Sequence, residues 1–290
     1  MSKPFYEQVA VIGIGMMGTS LALAIKKNGL SENIVGVDRN FDNLKTAKRL
    51  QAIDSYTDCL KDAIAGAVLV IFATPVLATF EVAKRIVYAV KNDAIITDIG
   101  SIKGELVIRM TELFKGHGNY IGSHPITGTE KSGAMNAVDG LFENKRCIIT
   151  PVEKTDNFTV EAAKRFWESI GSDVVIMNPH EHDRTMAAVS HMPHAIAYTL
   201  IKSIMEQEKA GYALFQFAGG GLKDYTRIAA SDPVMWRDIF MSNSEEILRA
   251  IEGFNKSLGN LTDMIKSKDL KGIHNFLEEV KEVRRSIADK

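Results

Sequence analysis

The stretch Val9-Ala10-Val11-Ile12-Gly13-Ile14-Gly15-Met16-Met17-Gly18 decides the fold. An apolar run feeds into Gly13-x-Gly15-x-x-Gly18, and Thr19-Ser20-Leu21-Ala22-Leu23-Ala24-Ile25 continues as a helix. Strand, tight glycine turn and helix start form the geometry that receives a dinucleotide pyrophosphate. Gly13 permits the turn, Gly15 lets phosphate approach the backbone, and Gly18 lets the helix pack close to the strand. The free N–H groups of the helix then face the phosphates. Gly13, Gly15, Met16, Met17 and Gly18 are therefore the expected cofactor-binding residues of the turn.

A second strand, Ile34-Val35-Gly36-Val37, ends in Asp38. An acid there accepts hydrogen bonds from the ribose hydroxyls and repels a 2′-phosphate, which favours NAD over NADP. Arg39 follows at once and could welcome that phosphate, so NADP stays open as the lesser choice. The bland alternative is a plain βαβ turn with chance glycines.

The 290 residues suffice for two domains, and 46% apolar with 24% charged residues is a globular composition. Net charge is −1, with no basic stripe for nucleic acid and no basic amphipathic segment for a membrane surface. Met1–Glu7 has no apolar signal region, so secretion is not expected. The apolar stretch 63–80 is broken by Pro75 and reads as a buried strand and a helix, not a membrane span. Cys59 and Cys147 form no metal-type spacing and read as reduced thiols of a cytoplasmic protein.

The first half alternates strands and helices. Helix is expected over 41–50, strand over 68–73, helix over 76–90 starting near Pro75, strand over 94–98, helix over 103–114 and a short strand over 120–122. Strands at 146–149 and 173–177 flank a helix over 160–170. This alternation predicts an α/β fold, a Rossmann-type doubly wound, mainly parallel sheet with ligands at the carboxyl ends of its strands. From Pro179 onward the pattern is helical, with Asn178 as cap and Pro179 in the first turn. The expected domains are 1–178, binding NAD, and 179–290, an all-helical substrate and dimerisation domain. Ile247, Ile251, Phe254, Leu258, Leu261 and Ile265 form one late stripe; Leu270, Ile273, Leu277, Val280 and Val283 form another. Such stripes bury against the same chain or a second copy.

Three loops fall on the binding edge. Thr74 and Pro75 are placed to pass the cofactor. Ser101 either caps the helix over 103–114 or aims its hydroxyl into the site. His124, expected just past its strand, can take a proton near pH 7, its ordinary pKa being about 6.5; its bland reading is a loop histidine. In the helical half Pro193 predicts a kink in His191-Met192-Pro193-His194. His191 and His194 share a face, with His180 and His182 nearby. No carboxylate or thiolate stands at ligand spacing, so no metal is expected. Gly219-Gly220-Gly221 with Lys223, Arg227, Arg237 and Trp236 suggests an anion pocket, against the alternative of a solvated charged face.

These residues resemble the prephenate/arogenate dehydrogenases of tyrosine biosynthesis. The matching stretches are Gly13–Gly18, Asp98–Lys103, His124–Gly133, Ser190–His194 and Gly219–Asp238, in family order across almost the whole chain, and the histidine-proline and Gly219–Asp238 stretches are the specific ones. The resemblance implies NAD(P)-dependent oxidative decarboxylation of prephenate, or alternatively arogenate, by a homodimer. It implies His124 as the group that polarises or deprotonates the ring hydroxyl, Ser101 bonding in the same place, and Arg227 gripping a substrate carboxylate. His194, Lys223 and Asp224 match positions near the pocket. Thr127 departs from the small or apolar residue many relatives have. The chain ends soon after the helical domain, so no C-terminal regulatory domain is expected. A β-hydroxyacid dehydrogenase is disfavoured, because residues 187–194 lack that family's lysine. A non-catalytic NAD-sensing protein would keep the turn without needing Ser101, His124 and Arg227 together.

Overall fold

The computed structural model describes residues 6–288. Its sheet has strands β1 (Val9–Ile12), β2 (Ile34–Val37), β3 (Ser55–Thr57), β4 (Leu69–Phe72), β5 (Ile95–Asp98), β6 (Asn119–Pro125), β7 (Arg146–Thr150) and β8 (Asp173–Ile176). Their order is β3-β2-β1-β4-β5-β6-β7-β8, and only the β6–β7 pair is antiparallel. The order reverses between β1 and β4, the switch point at which doubly wound sheets bind ligands.

The apolar strands are buried on both faces, as a parallel sheet requires. Alternate residues of β1 serve opposite cores. Val9 and Val11 pack with Leu21, Ile25, Phe166 and Trp167, whereas Ala10 and Ile12 pack with Val70, Phe72, Val107 and Phe114. Helices Met16–Lys27, Phe41–Arg49 and Asn157–Ser169 supply the first core; Val76–Lys84 and Gly104–Leu113 supply the second.

Several elements differ from the sequence reading. The edge strand β3 was not expected: three half-exposed residues leave no periodic signal. The helix after Pro75 stops at Lys84 and a separate short turn covers Val87–Ala89, with Pro75 itself as the capping residue. Ser101 does not cap the next helix, which starts at Gly104 with Lys103 in the cap position. β6 runs on to Pro125, so His124 lies within a strand and not past it. The reason is a change of partner. Asn119–Gly122 pair with β5, and Gly122–Pro125 pair with β7, so the second neighbour extends the strand where the first ends.

After β8 the chain is helical. Asn178 Oδ1 accepts from the His180 and Glu181 N–H groups, and Pro179 opens the helix Pro179–Met186. That helix continues through a π-helical turn, Ala187–His191, into Met192–Lys209. The wide turn falls just before Pro193, which cannot donate to a carbonyl one turn back. The chain divides into compact units Met1–Ser244 and Glu245–Lys290. The second holds most of helix Ser244–Ser267 and all of helix Leu270–Ala288. Leu258, Ile265, Leu270, Leu277, Val280 and Val283 of the two stripes are exposed. No helix among the described residues is long and apolar enough to cross a membrane.

Candidate active site

The glycine turn fits a dinucleotide for separable reasons. A Cβ on Gly13 would lie 2.4 Å from the Ala73 carbonyl oxygen, and one on Gly18 would lie 1.9 Å from the Gly13 carbonyl oxygen. These two glycines are required by packing between the ends of β1 and β4. A Cβ on Gly15 would meet nothing within 4 Å, so that position faces open space. No side chain caps helix Met16–Lys27, whose first N–H groups remain available to phosphate. Asp38 Oδ2 accepts from Ile14 N at 2.7 Å and Oδ1 from Asn40 N at 2.8 Å. The carboxylate is thus fastened beside the turn and keeps lone pairs for ribose hydroxyls. Thr74 and Pro75 follow β4 on the same edge, with Thr74 Oγ1 held 2.9 Å from Thr79 Oγ1.

β6 alternates its side chains across the sheet. Ser123 points into the core, 2.8 Å from Thr97 Oγ1, and accepts from Trp167 Nε1 at 3.0 Å. His124 faces the other way and is half-buried. Its Nδ1 lies 2.8 Å from His182 Nε2, and His182 Nδ1 lies 2.8 Å from Asp183 Oδ1. Asp183 also accepts from Lys103 N and Gly104 N, each at 2.8 Å. It is this residue, 80 positions along the chain, that caps helix Gly104–Leu113. Beneath it the fully buried Lys103 ammonium pairs with Asp98, which also accepts from Tyr120 Oη at 2.7 Å.

Burial holds the pKa of His124 well below that of a free histidine, helped by His182 and by the Lys103 charge. Burial also lowers His182, against the raising effect of Asp183. Burial thus disfavours the charged form of both imidazoles.

The helical segment carries a second group of candidate residues. His194 stacks on the buried Trp236 with ring centroids 3.6 Å apart, and His191 meets the same indole edge-on at 6.0 Å. Burial lowers the His194 pKa, and the Arg227 guanidinium acts in the same direction. Arg227 is exposed, 3.4 Å from Glu130 in the loop after His124. That loop is itself fastened to the nucleotide side, since Ala134 N donates to Asn43 and Val138 N donates to Ser20. Lys223 and Asp224 are exposed on the short helix Gly220–Thr226. Arg237 does not serve as a free cation: its Nε and terminal N–H groups both donate to Asp238. The histidines do not gather round a metal either. His191 faces Asn243, His182 joins His124 to Asp183, and no metal-type cluster occurs among the described residues. Asp183 is the site residue that sequence reasoning missed, and His182 entered it only as a neighbour of a metal-type histidine cluster. Their only signal was a His-Asp pair at a helix start.

The switch-point glycine turn, with Asp38 and His124 on the same sheet edge, is the layout of an NAD-dependent oxidoreductase. Residues 21–176 match the prephenate dehydrogenase nucleotide-binding domain, and residues 178–279 match the prephenate dehydrogenase dimerization domain. The chain belongs to the prephenate dehydrogenase family. It is 32% identical to the prephenate dehydrogenase of Bacillus subtilis over 96% of this chain and 75% of the relative. It is 32% identical to the cyclohexadienyl dehydrogenase of Zymomonas mobilis, over 91% and 90%. The structure of prephenate dehydrogenase from A. aeolicus, in complex with hydroxyphenyl propionate and NAD+, superposes with a TM-score of 0.93 at 39% identity, covering 99% of this chain and all of that one.

Proposed function

We propose that the chain converts prephenate to 4-hydroxyphenylpyruvate and CO2 with NAD, as a step of tyrosine biosynthesis. The observation that carries this reading is His124 on the binding edge, its Nδ1 2.8 Å from His182 Nε2 and burial disfavouring its charged form. Bound NAD supplies the hydride acceptor, and Gly13, Gly15, Met16, Met17, Gly18, Asp38, Thr74 and Pro75 are the residues that hold it. His124 takes the proton of the ring hydroxyl as the carbon beneath it is oxidised. The bond to the ring carboxylate then breaks, CO2 leaves, and its electron pair completes the aromatic ring. The phenolic oxygen recovers a proton from His124, so the residue ends as it began.

Ser101 hydrogen-bonds at the same hydroxyl. Arg227 binds a carboxylate of the substrate, with His194, Lys223 and Asp224 at the pocket margin. The A. aeolicus relative supports this class of ligand, since hydroxyphenyl propionate is a phenol bearing a carboxylate. The functional boundary lies at the capping residue Asn178, where the second matched segment begins. Two copies associate through the helical domain, whose exposed apolar stripes and matched dimerization domain support that assembly. The free cysteines Cys59 and Cys147 suit the reducing cytoplasm.

The test is direct. Purified protein is mixed with NAD or NADP and with prephenate or arogenate, and reduced cofactor is followed by absorbance. Turnover with prephenate and NAD is expected; turnover with arogenate alone would reassign the substrate. His124→Ala should cut kcat by about 10²–10⁴-fold, as loss of a general base does, while NAD binding persists.

A further inference from the structure

We propose that His182 and Asp183 act as positioning residues that fix the tautomer of His124 and so direct its lone pair at the substrate. The inference rests on the assignment of His124 as the base.

Every hydrogen-bond direction follows from one end of the chain. Asp183 receives two backbone N–H groups, from Lys103 to Oδ1 and from Gly104 to Oδ2, both at 2.8 Å. A carboxylate has no proton to give. The third contact, His182 Nδ1 at 2.8 Å from Oδ1, therefore requires Nδ1 to carry the proton. A neutral imidazole with Nδ1–H has an acceptor at Nε2. That acceptor lies 2.8 Å from His124 Nδ1, so His124 Nδ1 must donate. The remaining nitrogen, His124 Nε2, is then an unprotonated acceptor. With the opposite tautomer, His124 would present N–H to the ring hydroxyl and could not take its proton.

The relay is also rigid. His182 is fully buried, and Asp183 is buried at a helix cap that leaves its carboxylate little freedom. A Cβ on Gly104 would stand 2.7 Å from Asp183 Oδ2, so this glycine makes room for the carboxylate. When His124 becomes an imidazolium, its Nδ1–H bond to His182 becomes charge-assisted. Burial, His182 and the Lys103 cation disfavour that proton, and the Asp183 carboxylate stands one hydrogen bond beyond His182.

The experiment has one arm that does not depend on turnover. The whole protein is prepared with 15N-labelled histidine, and the His124 resonances are assigned by their loss in His124→Gln. Near pH 7.5 the wild type should show a protonated Nδ1 and an unprotonated Nε2 at His124. A protonated Nε2 there overturns the relay even if the enzyme is active. In the second arm, His182→Leu should populate both tautomers and lower kcat at least ~10-fold, short of the about 10²–10⁴-fold that the whole base contributes, with KM for NAD unchanged. His182→Gln, whose amide oxygen can accept from Nδ1, should restore part of that loss. Equal activity of His182→Leu and wild type would overturn the proposal. Loss of activity in His124→Ala with full activity in His182→Leu would sink the relay and leave the base assignment standing. Inactive wild type with the Nδ1–H tautomer would count against the substrate assignment alone.

Discussion

Protonation of His191 should destabilise the folded protein in mild acid. The ring is 1% exposed. Its Nδ1 lies 3.2 Å from Asn243 Nδ2, and that amide nitrogen donates to the Asp183 carbonyl oxygen at 2.8 Å. A carbonyl only accepts, so the group facing His191 is an NH2, and Nδ1 must serve as acceptor. Burial, reinforced by His182 and His194 against the opposing pull of Asp183, lowers the pKa from 6.5 to about 4. The unfolded chain binds this proton near pH 6.5 and the folded chain only near 4. Between these values the unfolded state holds more protons, so stability falls as pH falls. The gap corresponds to about 3 kcal/mol at 1.36 kcal/mol per pKa unit, a large share of the ~5–15 kcal/mol that holds an ordinary domain. The measurement is a series of urea melts followed by circular dichroism from pH 7.5 to pH 4, on wild type and His191→Gln. Burial lowers His124 and His182 as well, so the wild type should lose stability steeply. The difference between the two proteins isolates His191 and should approach ~1.4 kcal/mol per pH unit inside the window. Parallel curves for the two proteins would refute the reasoning.

Arg227→Ala should mainly raise KM for the acid substrate, because only a weak exposed contact with Glu130 has to be given up to reach a ligand carboxylate; a pure kcat effect would remove it from binding. Asp38→Ala should narrow the preference for NAD over NADP, and an unchanged ratio of the two kcat/KM values would refute the ribose assignment. Gly15→Ala should weaken NAD binding with little change in Tm, since its Cβ meets nothing, whereas Gly18→Ala should lower both, by about 1–3 kcal/mol in stability for a forced overpacking. Equal Tm losses in the two variants would show that Gly18 is not a packing glycine.

The legible parts of the molecule are those written over short spans. Val9–Gly18 and Ile34–Val37 state strand, turn and second strand within consecutive residues, and β1 and β2 lie parallel and in register as that pattern requires. Asn178 and Pro179 announce a helix start, and the structure shows the cap. The less legible parts depend on distant partners. β6 continues to Pro125 because β7, not its own sequence, supplies the ladder beyond Gly122. Ser101 looks like the cap of the following helix by position, yet a carboxylate from far along the chain fills that role. Arg237 looks like a ligand for an anion, and its neighbour Asp238 already binds it. Nothing in a local window distinguishes a cation held by the next residue from one waiting for substrate.

Asp183 explains why the sheet and the first helices after it form one compact unit. Without Pro179–Met186 in place, the Lys103 and Gly104 N–H groups at the start of helix Gly104–Leu113 would lose their acceptor in a buried setting, which costs about 1–3 kcal/mol for each unsatisfied group. The same residue orients His182 through its carboxylate and holds Asn243 through its carbonyl oxygen, and Asn243 in turn faces His191. Capping, the His182–His124 contact and docking of the helical segment therefore share one hydrogen-bonded network around Asp183, from Gly104 to His191. A change that loosens His191 should reach His124 along it, lowering kcat before any loss of secondary structure. A His191 variant with full kcat at a reduced Tm would separate the two and show that the network transmits no strain.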